Sequence, residues 1–451
     1  MKNYRLKFLF LIGLLLSLAG CSNSVYKNEV QDWTIVLEPE SKVLTISYKK
    51  DKILEGVVSR YKLNDQYIVT SKYPVVSSEV SNVEDKIGKG KKVVYSYSGL
   101  ENYPDVHQIF YFYEGQPQML AELQLVSKDA IASNYIAPIY TDEAHSFLKK
   151  DSANRVLTVP FDNDNFVSYL SNPLTVEDTS SEVTAFFNGE NRQGLIIGSV
   201  EHDTWKTGIH FSTSENNIIN KLEAFGGLAN ELTRDFSDRE DRPSCEHGYV
   251  KGNTVKSPKL FIGYFADWRR GLEAYGETCA KIAPPRKWAK GTPFGWNSWA
   301  AMASKVNYEG SIDVSDFFKS SLQSNNFSND NIVYIGLDSF WDNFTPQQLK
   351  EFVEHCHKNG QKAGIYWCPF SDWHGNGEAF VEGTDNKWKY KDIYLYAPNG
   401  KPRKVESLAV DPTHPGTKMR MDHYINMFKD LGYEYLSSTY KCNFLGADNK
   451  Q

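Results

Sequence analysis

Three short runs place aromatic and polar side chains directly after apolar stretches: Gly295-Trp296-Asn297-Ser298-Trp299, Leu337-Asp338-Ser339-Phe340-Trp341-Asp342 and Gly364-Ile365-Tyr366-Trp367-Cys368-Pro369-Phe370. Trp299, Trp341 and Tyr366 offer flat faces, while Asp338 and Ser339 offer oxygens that bind hydroxyls. Side by side, such groups stack on a sugar ring and hold its hydroxyl groups. Each also has an ordinary structural reading. Asp338 could cap the turn that follows its strand, and Trp299 and Tyr366 could plug the end of a barrel. Their position immediately after apolar strands favours the functional reading.

The elements that must position these residues follow a βα rhythm. A short strand is expected at 294–299 and a helix at about 314–322. The continuous apolar run 332–337 has the pattern of a strand buried in a parallel sheet. The next helix is well signalled: Thr345 as N-cap, Pro346 at the first helical position, an apolar stripe of Leu349, Phe352, Val353 and Cys356, and Gly360 as stop. A strand at 362–367, a long loop to 410, a helix from about Pro415 to Gly432 and a strand at 433–436 complete four βα units. No glycine-rich phosphate loop follows the first strand, which disfavours a nucleotide-binding open sheet. The expected fold is therefore the first half of a TIM (β/α)8 barrel, whose active site lies at the C-terminal strand ends. A whole barrel takes roughly 250 residues, whereas about 160 follow Gly291.

Ahead of it, from about 31 to 266, apolar and polar residues alternate, as in Leu44-Thr45-Ile46-Ser47-Tyr48, and Glu114-Gly115-Gln116-Pro117 reads as a hairpin loop. Many short strands with polar turns predict an N-terminal β-sandwich. A helix at 267–279 then leads to the boundary at Pro284-Pro285. The expected organisation is a lipoprotein signal peptide at 1–21, a tether at 22–30, the β-sandwich at 31–282, a linker at 283–290 and the partial barrel at 291–451.

The signal peptide rests on Lys2, Arg5 and Lys7, the apolar run 8–18, and Leu18-Ala19-Gly20-Cys21. The last four residues look like a lipobox, with Cys21 as the lipidated residue. The run is too short to span about 30 Å of hydrocarbon. The expectation is an exported protein, lipid-anchored to a bacterial membrane in the periplasm or at the cell surface. A net charge of -6 in 451 residues shows no basic excess, so nucleic acid is not an expected partner. The five remaining cysteines have no C-x-x-C spacing, which argues against a zinc site or a disulfide framework.

Together, Pro293-Phe294-Gly295-Trp296-Asn297-Ser298-Trp299, Tyr334-Ile335-Gly336-Leu337-Asp338 with Trp341, Lys362-Ala363-Gly364-Ile365-Tyr366 and Asp411-Pro412-Thr413-His414-Pro415 resemble the α-galactosidases of glycoside hydrolase clan D. The preceding sandwich makes the chain more similar to family 36 than to family 27. The resemblance implies a retaining hydrolase of terminal α-linked galactose, with a carbohydrate substrate and no metal or organic cofactor. It places Trp299 in the sugar subsite, Asp338 on galactose hydroxyls and Tyr366 near the anomeric centre. Ser339 departs from the family's Asp-Asp pair, which leaves the sugar's identity open.

The same resemblance places the nucleophile in a Lys-x-Asp segment after the fourth strand. Here Ser437 stands at the lysine position and Thr439 at the aspartate position. Retention needs two carboxyl groups roughly 5–5.5 Å apart, and threonine supplies none. Asp342, Asp430 and Asp448 are poor substitutes by position. The expectation is thus an inactive chain without an assigned catalytic residue, and a truncation or frameshift after Leu436 would account for it. The competing readings are a non-catalytic carbohydrate-binding lipoprotein, and a related α-N-acetylgalactosaminidase or arabinopyranosidase. The loop 371–410, with Trp373, His374, Trp388, Tyr390, Tyr394 and Tyr396, could form further sugar subsites or simply have its own small core.

Overall fold

The structure is a computed structural model that describes residues 25–160, 169–214, 218–227, 248–287, 292–397, 399–405 and 407–437. The chain divides between Pro285 and Arg286 into two compact units.

In the first unit the alternating sequence forms antiparallel strands. Trp33, Ile35 and Leu37 of Trp33–Leu37 point inward while Thr34 and Val36 stay half-buried, the period-two geometry of a pleated strand. One sheet runs in the order Tyr26–Val30, Trp33–Leu37, Leu44–Tyr48, Asp51–Leu63, Tyr135–Thr141, Ile218–Gly227, Thr207–Ser214, Glu177–Ser181. The other has Met119–Ser133 near its middle, paired on its two sides with Leu260–Phe265 and Asp105–Tyr113. Trp33, Ile46, Tyr61 and Ile139 of the first sheet and Tyr95, Phe110, Leu123 and Ile197 of the second belong to one apolar core.

The segment expected as a tether differs in part. Tyr26–Val30 pairs antiparallel with Trp33–Leu37, because Tyr26 and Val30 find apolar partners at the edge of the core. The helix after the last strand, Trp268–Ile282, starts at the N-cap Asp267, whose side chain accepts from the Arg269 N–H. Trp268 stacks on Phe187 at 4.3 Å, and Tyr275 meets Phe261 edge-on. Gly271 permits that approach: a Cβ there would lie 2.6 Å from Ile196 Cγ1.

In the second unit four strands, Gly295–Asn297, Tyr334–Leu337, Lys362–Tyr366 and Tyr435–Ser437, lie side by side in chain order and all parallel. Helices Tyr308–Phe317, Pro346–Lys358 and Pro415–Asp430 fall between them in sequence. The first of these starts earlier than its apolar pattern predicts, because the Asn307 side chain caps it by accepting from the Gly310 N–H. Pro346–Lys358 begins as expected: Thr345 Oγ1 accepts from the Gln348 N–H at 3.2 Å, and Gln348 Oε1 accepts from the Thr345 N–H at 3.0 Å, a reciprocal capping box. Val333, Ile335 and Leu337 pack with Leu349, Phe352, Val353, Cys356 and Phe428 in a second core. Trp296, Tyr334, Gly336, Gly364 and Tyr435 line a groove of about 240 Å³.

The loop expected to run from 371 to 410 carries structure of its own. Ser371–Asp372, Ser407–Ala409 and Lys404–Val405 form a small antiparallel sheet, and Tyr390–Ile393 is one turn of helix. Val381, Tyr390, Ile393, Tyr394 and Val410 are its core. No helix among the described residues is long and apolar enough to cross a membrane.

Candidate functional site

Four hydrogen bonds brace the ends of the first two parallel strands, two crossing between the strands and two closing the turn at each end. Asn297 Oδ1 accepts from the Trp299 N–H at 2.8 Å, and Asn297 Nδ2 donates to Asp338 Oδ2 at 2.8 Å. The Asp338 N–H donates to the buried Ser298 Oγ at 2.8 Å, and Asp338 Oδ1 accepts from the Ser339 N–H at 2.7 Å. Asp338 therefore does brace the turn after its strand, as its structural reading held. A carboxylate has about four acceptor positions in all, so these two bonds do not exhaust it.

Beside this brace lies a cleft of about 480 Å³. Trp299, Ser339, Trp341 and Tyr366 line it, which brings together four of the five residues expected to bind sugar. Asp338 is not on its wall but directly precedes Ser339. Cys21 and Thr439 lie outside the described residues.

The remaining wall was partly legible in the sequence, since Trp373, His374 and Tyr390 of the loop 371–410, named there as possible sugar contacts, all line it. The small subdomain contributes Asp372, Trp373, His374, Glu382 and Tyr390, and the helix Pro415–Asp430 contributes Arg420 and Tyr424. Asp372 is buried and accepts from the Tyr394 hydroxyl at 2.5 Å and from the N–H groups of His374 and Gly375 at 3.0 and 3.2 Å. This anchors the turn that carries Trp373. Arg420, also buried, donates Nε to the Tyr390 hydroxyl at 2.9 Å and Nη1 to the Pro369 carbonyl at 2.8 Å. The Tyr390 hydroxyl donates in turn to Glu382 Oε2 at 2.6 Å, and Arg420 Nε lies 3.4 Å from the same oxygen.

Burial pushes the hydroxyls of Tyr390, Tyr394 and Tyr424 above the ordinary tyrosine range, and the carboxylates nearby add to the effect. These three phenols therefore stay protonated and act as donors near neutral pH. Two of the cleft's three carboxylates, Asp372 and Glu382, are thus held by fixed donors. Asp342, in the short turn Trp341–Asn343, is exposed. Among the described residues no group of three or more His, Cys, Asp and Glu side chains gathers to hold a metal ion. The arrangement suits a neutral polyol with a flat apolar face: aromatic walls, hydroxyl-binding oxygens and one buried guanidinium already neutralised by Glu382.

A signal for part of this wall was present in the sequence. Arg420 and Tyr424 stand four residues apart on a predicted helix and so share a face, but nothing local indicates that Glu382 meets them.

No protein-family model matches the sequence, and no curated protein does so either. Solved structures do match in fold. The α-galactosidase from Lactobacillus brevis aligns with a TM-score of 0.53 at 10% identity, over 92% of this chain and 63% of that one. A glycoside hydrolase family 36 α-galactosidase from Geobacillus stearothermophilus, in complex with stachyose, gives 0.51 at 10% identity, over 92% and 65%. An α-N-acetylgalactosaminidase from Bifidobacterium bifidum, in complex with Gal-NHAc-DNJ, gives 0.56 at 9% identity, over 92% and 68%. This chain spans less than two thirds of the first two. At these identities the likeness is one of fold: the chain is built like part of a family 36 α-galactosidase or an α-N-acetylgalactosaminidase.

Proposed function

We propose that the cleft binds the terminal sugar of an α-linked galactoside, as in retaining glycosidases of clan D, family 36. The observation that carries this reading is the convergence of Trp299, Ser339, Trp341 and Tyr366 on one cleft beside Asp338, all of them leaving parallel strands. In this reading the first unit is a β-sandwich and the four parallel strands are consecutive staves of a (β/α)8 barrel, a fold that carries its sites at this end. Trp299 stacks on the sugar's apolar face, Asp338 and Ser339 accept from its hydroxyls, and Tyr366 sits near the anomeric carbon. An N-acetylgalactosaminide remains the rival ligand, supported by the likeness to the Bifidobacterium bifidum structure.

Binding without turnover is the form of this function that the residues support. Threonine at 439 lacks the carboxylate that would form a glycosyl ester. Within the cleft, Asp372 and Glu382 are engaged by tyrosine, arginine or backbone donors, which leaves Asp342 as a single exposed carboxylate where retention needs two.

Calorimetric titration with methyl α-galactoside is expected to show binding, and Trp299→Ala to weaken it about tenfold, as for loss of one aromatic stacking face. Wild-type protein that melts cooperatively yet binds neither this ligand nor its N-acetylated analogue sinks the reading. An aryl α-galactoside is expected to release aryl alcohol no faster than a buffer blank. Release well above the blank that disappears in Asp338→Ala would overturn the non-catalytic part alone.

The export expectation belongs to the same proposal. Mass spectrometry of the protein from a bacterial membrane fraction is expected to find a diacylglyceryl-modified Cys21 at the mature N-terminus. An unmodified Cys21, or residues 1–20 still attached, would refute it.

A further inference from the structure

Phe340 is poorly explained by local conformation or by core packing. Its backbone sits at φ 68°, ψ 16°, in the left-handed region, where a bulky side chain is an outlier and glycine fits without strain. Its ring earns little from burial, being 42% exposed at the cleft. Strained backbone of this kind is a recurrent mark of functional positions.

The ring's orientation indicates a use. It lies parallel to Trp299, with 6° between the planes and 6.4 Å between centroids, and Trp299 is itself 50% exposed. A pyranose held between two rings needs roughly 7–8 Å, twice the ~3.5–4.0 Å spacing of carbons in contact. The two rings are too close for that, but their parallel planes present two faces in the same direction at the cleft.

We propose that Phe340 extends the face of Trp299 so that the second ring of an oligosaccharide rests on Phe340 while the terminal ring rests on Trp299. The cleft then prefers a galactoside with a sugar aglycone to one with a small aglycone. This proposal rests on the galactoside reading of the cleft and assigns a specificity-determining residue to it.

The test compares the affinities of melibiose and methyl α-galactoside in wild type, Phe340→Gly and Phe340→Tyr. The wild type is expected to favour melibiose. Phe340→Gly is expected to reduce the ratio of the two affinities about fivefold, in the range of one aromatic contact, while Phe340→Tyr keeps it. Because glycine accepts the left-handed backbone, the melting temperature of Phe340→Gly is expected to equal or exceed that of the wild type, which separates a lost contact from lost folding. An unchanged ratio in Phe340→Gly, with methyl α-galactoside still bound, overturns the role of Phe340 and leaves the galactoside reading intact. A wild type that binds neither sugar overturns the galactoside reading, and this proposal with it.

Discussion

Arg420→Ala is expected to destabilise the second unit by about 2–4 kcal/mol, in the range for breaking a buried charge pair, reduced because Glu382 can regain some water. The guanidinium lies 5.0 Å from the Trp367 ring and 5.4 Å from the Tyr424 ring, with its side chain 7% exposed. It satisfies the Pro369 carbonyl and the Tyr390 hydroxyl and neutralises Glu382. Alanine would remove all three partners together and leave a hole among aromatic rings. Glu382 would keep its tyrosine partners but lose its cation, and the wall of the cleft would loosen. Urea unfolding reports the loss, and galactoside affinity is expected to fall in parallel. Arg420→Lys is expected to recover only part of it, since an ammonium lacks the planar fork that reaches two acceptors while stacking on rings. A loss under about 0.5 kcal/mol, the ordinary range for surface substitutions, would show that the cluster is incidental to the cleft.

A comparable cost is expected in the first unit for Arg60→Met, about 3–5 kcal/mol. Glu223 is fully buried, and one of its oxygens accepts from the Tyr135 hydroxyl and lies 3.2 Å from Arg60 Nη1. Among the described residues the other oxygen has no hydrogen-bond partner, and Lys221 Nζ lies 3.7 Å from it. Arg60 is itself held over Tyr67 at 3.9 Å and Tyr140 at 4.8 Å. Methionine retains much of the stem's packing, so the measured loss isolates the charge. The double variant Arg60→Met with Glu223→Leu is expected to regain a large part of the stability, because an apolar pair of similar volume replaces a buried ion pair at little net cost. If the double variant is as unstable as the sum of its single changes, the two residues do not act as a pair.

Much of the second unit is legible locally. The apolar run through Ile335 and Leu337 identifies a parallel strand because both residues must be dry. Thr345, Pro346 and Gly360 bracket their helix because capping chemistry operates within one turn. Trp299, Ser339, Trp341 and Tyr366 could be singled out because strand ends of a βα repeat point to one end of the sheet. The partnership of Arg420 with Glu382 could not, since 38 residues separate them and neither carries a local mark of it. Asp372 reads as an ordinary loop residue until the subdomain folds back and brings the Tyr394 hydroxyl to it. The left-handed backbone at Phe340 was equally hidden, because a turn with a bulky aromatic at positive φ runs against residue preference.

The sequence by itself determined the strand and helix rhythm, the alternation that builds the β-rich first unit, and the aromatic and polar residue types at the strand ends. Those properties depend on periodicities of two and 3.6 residues, which act between near neighbours. Only the tertiary structure decided which side chains share the cleft, that Asp338 braces its wall, and that Arg420 and Glu382 meet at a tyrosine. Such contacts join elements far apart in the chain, and they form only when burial of the two cores brings those elements together.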